Sequence, residues 1–136
     1  RQTENRIRQL GIIGHSTDKC ELIIMGGTFM STSPAFQENF VKRCLDAFNK
    51  SNSESLEEAQ QKNETAENRC VGLTIETRAD FCTDDQIDRM LKMGCTRVEL
   101  GVQSVDDDIL KITKRGHNAQ ANVDAIRRLK EKGLKV

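Results

Sequence analysis

Three short apolar runs limit what this chain can fold into, because each ends on glycine or polar residues and each is followed by a helix-patterned segment. Leu22-Ile-Ile-Met25 runs into Gly26-Gly27-Thr28. Cys70-Val-Gly-Leu-Thr-Ile75 ends in Glu76-Thr77-Arg78, and Arg97-Val-Glu-Leu100 ends in Gly101-Val-Gln103-Ser104. Runs such as Leu22 to Met25 predict strands buried on both faces, as in a parallel sheet covered by helices. Strands alternating with helices require right-handed parallel crossovers, so the architecture is α/β, either a barrel or an open sheet. In both, ligands bind at the carboxyl ends of the strands, where the glycines and polar residues fall.

The segments between the strands carry helix signals. Gln2 to Leu10 is helix-compatible, with Gly11 as its stop. Ser33-Pro34 is an N-cap followed by proline at the first helical position, and Phe36, Phe40, Val41, Cys44, Leu45 and Phe48 follow at helical spacing. After the polar linker 50–54, Ser55 to Glu58 forms a capping box that opens a helix to about Asn68. Leu56, Ala59 and Ala66 are nearly all its apolar face, so this extra helix, at about 55–69, is peripheral or covers a partner.

Thr83 to Gln86 is a second capping box, with Ile87, Met90 and Leu91 as the buried stripe and Gly94 as the stop. Ser104 is placed to cap a helix whose first turn holds Asp106, Asp107 and Asp108, charges suited to the positive end of the macrodipole. Ile109, Leu110 and Ile112 are predicted to pack inward, with Gly116 closing the helix. Asn118 caps a last helix that ends at Gly133, and Leu134-Lys135-Val136 starts a fourth strand. Three and a half strand–helix units do not close an eight-stranded barrel, so residues 1–136 read as one domain cut from something larger.

Composition narrows the function classes. Twenty-one basic against 21 acidic residues give a formal net charge of 0, so no global field draws the chain to nucleic acid or membrane. No apolar run approaches the ~20 residues of a membrane span, and a cytoplasmic location is the expectation. Five cysteines with no CxxC spacing argue against a zinc site or a disulfide framework; each reads as a small buried hydrophobe. With no Trp and no Tyr, base stacking would have to use Phe, His or Arg.

With the strand ends in hand, a resemblance is recognisable. ELIIMGGTF, FVKRCLDAFN, LTIETR, RVELGVQS and KRGH resemble the radical S-adenosylmethionine (SAM) region of the Elongator complex protein 3 family, over nearly the whole chain. The resemblance implies a partial parallel (β/α) barrel, a [4Fe–4S] cluster that cleaves SAM to a 5′-deoxyadenosyl radical, and acetyl-CoA as the source of a group added at C5 of the wobble uridine of tRNA. It implies tRNA as partner, with Elongator subunits or self-association as further options, and neither DNA nor membrane. The family's three-cysteine cluster motif and its acetyltransferase domain are absent from these residues. The resemblance therefore implies an enzyme part that does not cleave SAM alone, with cluster ligands and acetyl-CoA site outside this chain. Ala79 stands where the family usually has proline.

The resemblance also implies a cofactor-binding set. Gly26 and Gly27 would lie against the methionyl amino group of SAM; as a bare dipeptide they are a tight turn needing positive φ. Thr28 either points into the site or caps that turn. Glu76, a carboxylate ending an apolar strand, needs a cation or donors, supplied by SAM or by an internal cation such as Arg78. Gln103 matches a position that hydrogen-bonds the SAM ribose, and otherwise pairs with backbone at the strand ends. Arg115, twelve residues after Gln103, matches an arginine that meets the SAM carboxylate, and otherwise is a solvated cation at a helix C-terminus. Arg78 and His117 are weaker candidates, structural or RNA-facing, and Glu99 is expected to bridge a basic residue rather than to act. No catalytic residue and no metal ligand is assigned.

Lys111, Lys114 and Arg115, and the later Arg127, Arg128, Lys130, Lys132 and Lys135, read first as solvated faces, and on a tRNA-modifying enzyme as phosphate contacts. Two other readings stay open on the residues alone. One is a non-catalytic tRNA- or protein-binding module, favoured by the polar helix. The other is a phosphate-binding (β/α) barrel enzyme, weakened by the absence of a glycine-rich loop opening a helix.

Overall fold

The strands β1 (Lys19–Ile24), β2 (Arg69–Thr77) and β3 (Arg97–Leu100) form one sheet in the order β1-β2-β3 in a computed structural model that describes residues 1–136. β2 and β3 run parallel, with Thr74 opposite Arg97, Ile75 opposite Val98, Glu76 opposite Glu99 and Thr77 opposite Leu100. The helices are α1 (Gln2–Ile12), α2 (Pro34–Asn49), α3 (Leu56–Asn63), α4 (Asp84–Lys92), α5 (Asp107–Ile112) and α6 (Ala119–Glu131). Two short 3-10 turns, Phe29–Ser31 and Ala79–Phe81, follow the ends of β1 and β2. The expected fourth strand is present as a parallel bridge of Lys135 to Arg97, with the Val98 N–H donating to the Lys135 carbonyl at 2.8 Å.

The chain divides into two compact units, and the division runs through β1 and β2. The first comprises Arg1–Leu22 and Ser33–Leu73. Here Val41, Leu45 and Phe48 of α2 and Leu56 and Ala59 of α3 are buried. α3 is as poor in apolar residues as its sequence predicts and is held by amides instead. Asn49 donates to the Ala59 carbonyl at 2.8 Å, Asn63 donates to Asn49 at 3.0 Å, and the Asn63 side-chain oxygen accepts the Cys70 N–H at 3.1 Å. That last bond occupies the end of the helix, which stops at Asn63 rather than continuing to Asn68.

The second unit comprises Ile23–Thr32 and Thr74–Val136. Ile75, Ile87, Met90, Val98, Leu110, Ala125 and Leu129 are its buried centre. α4 opens on the capping box foreseen, with the Thr83 hydroxyl accepting the Gln86 N–H and the Gln86 side chain accepting the Thr83 N–H. Asn118 caps α6 through the Ala121 N–H at 2.9 Å. Gly94 and Gly133 close α4 and α6 in the left-handed conformation, at φ 87 and 85.

Several sequence expectations fail for local reasons. α1 runs through Gly11 and closes at Gly14, because the His15 N–H reaches the Leu10 carbonyl and the Gly14 N–H the Gly11 carbonyl, the double bond of a Schellman stop. The apolar run of β1 is not buried on both faces: Ile24 is buried, while Ile23 and Met25 are exposed, as is Val71 on the central strand β2, so one face of the sheet is left uncovered here. α5 is capped by Asp106, whose carboxylate accepts from the Asp108 and Ile109 N–H groups; Ser104 instead accepts the Asp106 N–H. The left-handed residue that ends α5 is Lys114, at φ 53, and not Gly116. In a helix of six residues only Leu110 turns inward, leaving Ile109 and Ile112 exposed, and Leu91 of α4 is exposed as well.

Candidate functional site

The second unit gathers the ends of all three strands. After Ile24 the backbone enters positive φ at Gly26 (98°) and Gly27 (65°), and a Cβ at either would meet no atom within 4 Å. These glycines are therefore required by conformation and not by crowding, and they leave open space above the turn. The Gly26 N–H donates to Glu76 Oε2 at 3.2 Å, which ties the end of β1 to the end of β2. Thr28 precedes the first 3-10 turn; its carbonyl accepts from the Ser31 hydroxyl at 2.6 Å, and its own hydroxyl caps nothing.

Glu76 stands in register with Glu99 on the neighbouring strand, so two carboxylates lie side by side on one face of the β2–β3 pair. Glu99 also lines one hollow with Arg97 and Lys130, so basic side chains stand in its neighbourhood. Like charges in register oppose each other, so this face favours a cation.

β3 ends in two tight reversals. The Val102 N–H donates to the Leu100 carbonyl at 2.9 Å and the Ser104 N–H to the Val102 carbonyl at 2.7 Å. The second closes a γ-turn around Gln103, whose φ of 64 is the strained, positive form for a residue that is not glycine. The turn is anchored on β2 through the Gly101 N–H, which donates to the Thr77 carbonyl at 2.9 Å. Arg115 closes over it, with Nη2 donating to the Gly101 carbonyl at 2.8 Å. A Cβ on Gly101 would lie 3.1 Å from Arg115 Nη2 and 3.5 Å from Gln103 Nε2, so glycine here leaves room for the arginine over the turn. The Arg115 Nε–H is buried and has no partner in the protein, a donor suited to an anionic group.

Arg78 is occupied by the protein. Its guanidinium grips Asp80 with two bonds, Nε to Oδ1 at 3.0 Å and Nη2 to Oδ2 at 2.8 Å, and Nη2 also donates to the Arg115 carbonyl at 2.7 Å. The same group lies 5.8 Å from the centre of the Phe81 ring. Asp80 was not singled out by the sequence, although a carboxylate two residues after an arginine at a strand end is a signal for such a fork. His117 places Nδ1 3.4 Å from the Asn118 carbonyl, and its Nε2 is buried without a partner.

The thiols have a different character. All five cysteines are free, with Cys82 and Cys95 buried, and burial pushes their thiols up to about 12 and about 11. Burial raises Cys20, Cys44 and Cys70 as well. No three His, Cys, Asp or Glu side chains are grouped to hold a metal ion, so these residues do not fit an iron–sulfur cluster. The strand ends instead hold one carboxylate, Glu76, and one buried guanidinium N–H without a partner, that of Arg115.

The family model of the Radical SAM superfamily matches residues 1–136. The chain belongs to the radical SAM superfamily. Among radical SAM relatives, it is 58% identical over 135 residues to a tRNA uridine(34) acetyltransferase of Methanocaldococcus infernus, covering 99% of this chain and 25% of that protein. It is 44% identical to Elongator complex protein 3 of Schizosaccharomyces pombe, again over 99% of this chain and 25% of that protein. The chain thus spans about a quarter of the length of these radical SAM relatives. A solved structure, archaeal Methanocaldococcus infernus Elp3 with an N-terminal deletion, superposes with a TM-score of 0.97 at 58% identity, covering 99% of this chain and 32% of that one. The α/β fold expected for a partial radical SAM barrel is therefore the one adopted.

Proposed function

We propose that this chain is the SAM-binding part of a radical SAM enzyme that modifies the wobble uridine of tRNA, with acetyl-CoA as the source of the group placed on C5. The observation that carries this reading is the union of Gly26 with Glu76 and of Arg115 with Gly101, beside Gln103, in one unit of a radical SAM chain. Relatives named as tRNA uridine(34) acetyltransferases supply the substrate.

In this reading the Glu76 carboxylate faces the cationic end of SAM, beside the open backbone of Gly26 and Gly27. Arg115 offers its unpartnered Nε–H to the carboxylate of SAM. Gln103, presented by its γ-turn, takes the ribose, and Thr28 borders the amino group. When bound, SAM supplies radical chemistry in concert with a [4Fe–4S] cluster. The cluster ligands and the acetyl-CoA site are assigned to parts of the protein other than residues 1–136, so this chain alone does not cleave SAM. Cytoplasmic tRNA is the partner, with Elongator subunits as further candidates.

Two measurements test the reading. Anaerobically reconstituted full-length protein should show iron–sulfur absorption and release 5′-deoxyadenosine, and a protein doing neither refutes the enzymatic role. Calorimetry with SAM should show Glu76→Ala and Gln103→Ala each weakening binding about tenfold, the worth of one good polar contact to a charged or hydroxyl group. Equal affinity in wild type and both variants would refute the site.

A further inference from the structure

We propose that Asp80 is a positioning residue for the Gln103 turn, acting through Arg78 and Arg115. This deepens the SAM-binding reading and rests on it for the ligand, though not for the geometry. The connection is a chain of charge-assisted hydrogen bonds. Asp80 grips Arg78 by a two-bond fork at 3.0 and 2.8 Å, and Arg78 Nη2 holds the Arg115 carbonyl at 2.7 Å. Arg115 Nη2 then holds the Gly101 carbonyl at 2.8 Å, two residues before Gln103. Each link uses a planar guanidinium, whose fork fixes direction as well as distance.

The near end of this chain is built to stay still. The Arg78 carbonyl accepts from the Phe81 N–H at 3.0 Å and from the Cys82 thiol at 3.4 Å, and the Cys82 carbonyl accepts from Arg128 Nε at 3.1 Å. Ala79, which opens the 3-10 turn, and Cys82, which follows it, are both buried. On the far side, Gly116 leaves a slot for the guanidinium, since a Cβ there would fall 2.9 Å from Arg78 Nη2. Gly116 thus makes room for Arg78, and Asp80 is the acidic partner that holds it there.

The pair is about one-third exposed on each side, so it contributes little to global stability. Its effect is geometric. Without Asp80 the Arg78 head turns to water, the Arg115 carbonyl loses its donor, and the guanidinium over Gly101 is no longer fixed. Gln103, already strained at φ 64, is the residue that such loosening releases.

The test compares Asp80→Asn, Asp80→Glu and Arg78→Lys in the full-length protein by amide hydrogen exchange without ligand and by calorimetry with SAM. In Asp80→Asn and Arg78→Lys, the Ser104 and Arg115 amides should exchange about tenfold faster and SAM should bind about tenfold more weakly, as expected when a bound group loses its positioning. The Val98 amide, which bonds Lys135, should keep its wild-type protection. Asp80→Glu, which keeps a carboxylate for the fork, should retain most of the wild-type protection and SAM affinity. Wild-type exchange at Ser104 in Asp80→Asn overturns the proposal, and so does faster exchange with wild-type SAM affinity. A wild-type protein that fails to bind SAM overturns the ligand reading instead, and the exchange at Ser104 still decides the positioning role.

Discussion

The backbone N–H of Gly26 donates to the carboxylate of Glu76, 50 residues away in sequence and 3.2 Å away in space. The bond joins the ends of two strands and uses one oxygen of a group that also stands beside Glu99. A carboxylate so placed is held by the protein but not neutralised by it.

Glu99→Gln should therefore stabilise the ligand-free protein by about 0.2–1 kcal/mol at low salt, the range for relieving a like-charge pair in register across two strands. The gain should shrink at 1 M salt, where exposed charges are screened within about 3 Å. Glu76→Gln should give a similar gain, and the double variant little more than either single one. Urea denaturation at two ionic strengths measures all three. Destabilisation by Glu99→Gln would mean that Glu99 has a partner the strand register does not reveal.

Gln103 offers a trade between stability and binding. Its φ of 64 costs roughly 1 kcal/mol for a side chain with a Cβ. Gln103→Gly should leave the fold as stable as wild type or slightly more so, the added chain entropy offsetting part of the relief. It should nonetheless lose SAM affinity, because the amide is gone. A variant both less stable and equal in affinity would show that the amide holds the turn and not a ligand.

The buried thiols set a pH limit. Cys82 and Cys95 keep their protons to about 12 and about 11, well above the ordinary 9.0. Below pH 9 both states are protonated and the contribution is fully present. As pH rises from 9, the unfolded chain binds fewer protons than the native one, so stability falls until the folded thiols ionise near 11 and 12. Urea midpoints at pH 8, 9.5 and 10.5 should decline less steeply in Cys82→Ala than in wild type. Equal slopes would mean that the Cys82 thiol ionises freely in the folded state.

Much of this was legible in the sequence because it is local. Ser33, Thr83 and Asn118 announce their helices, and Gly94 and Gly133 end theirs, through bonds spanning three or four residues. The three strands were visible as apolar runs, and their polar ends pointed to the site. What was not legible depends on position in space. Ile23 and Met25 look like core until one face of the sheet proves uncovered, and Ile112 follows helical spacing in a helix too short to bury it. Gln103 and Lys114 take conformations usually left to glycine, and no composition signal marks them. The Asp80–Arg78–Arg115 chain joins residues 37 apart, so only folding brings it together.

Lys114 gives a last test, because its conformation and its charge make separable predictions. At φ 53 it occupies the C′ position of α5, with its N–H donating to the Lys111 carbonyl at 3.1 Å and the next N–H, of Arg115, to the Leu110 carbonyl at 2.9 Å. The side chain is exposed, so Lys114→Gly removes no buried contact and relieves the left-handed strain, for a gain of about 0.5–1 kcal/mol. Gly116→Ala should do the reverse. It forces a Cβ into positive φ and to 2.9 Å from Arg78 Nη2, and should cost about 1–3 kcal/mol, in the range for strained backbone and overpacking. Thermal or urea unfolding gives both values, and a neutral Gly116→Ala would show that Arg78 moves aside freely. Titration of tRNA into Lys114→Gly then separates the two readings of the basic run. A solvated lysine leaves binding and its salt dependence unchanged, whereas a phosphate contact lowers the salt slope by about one ion.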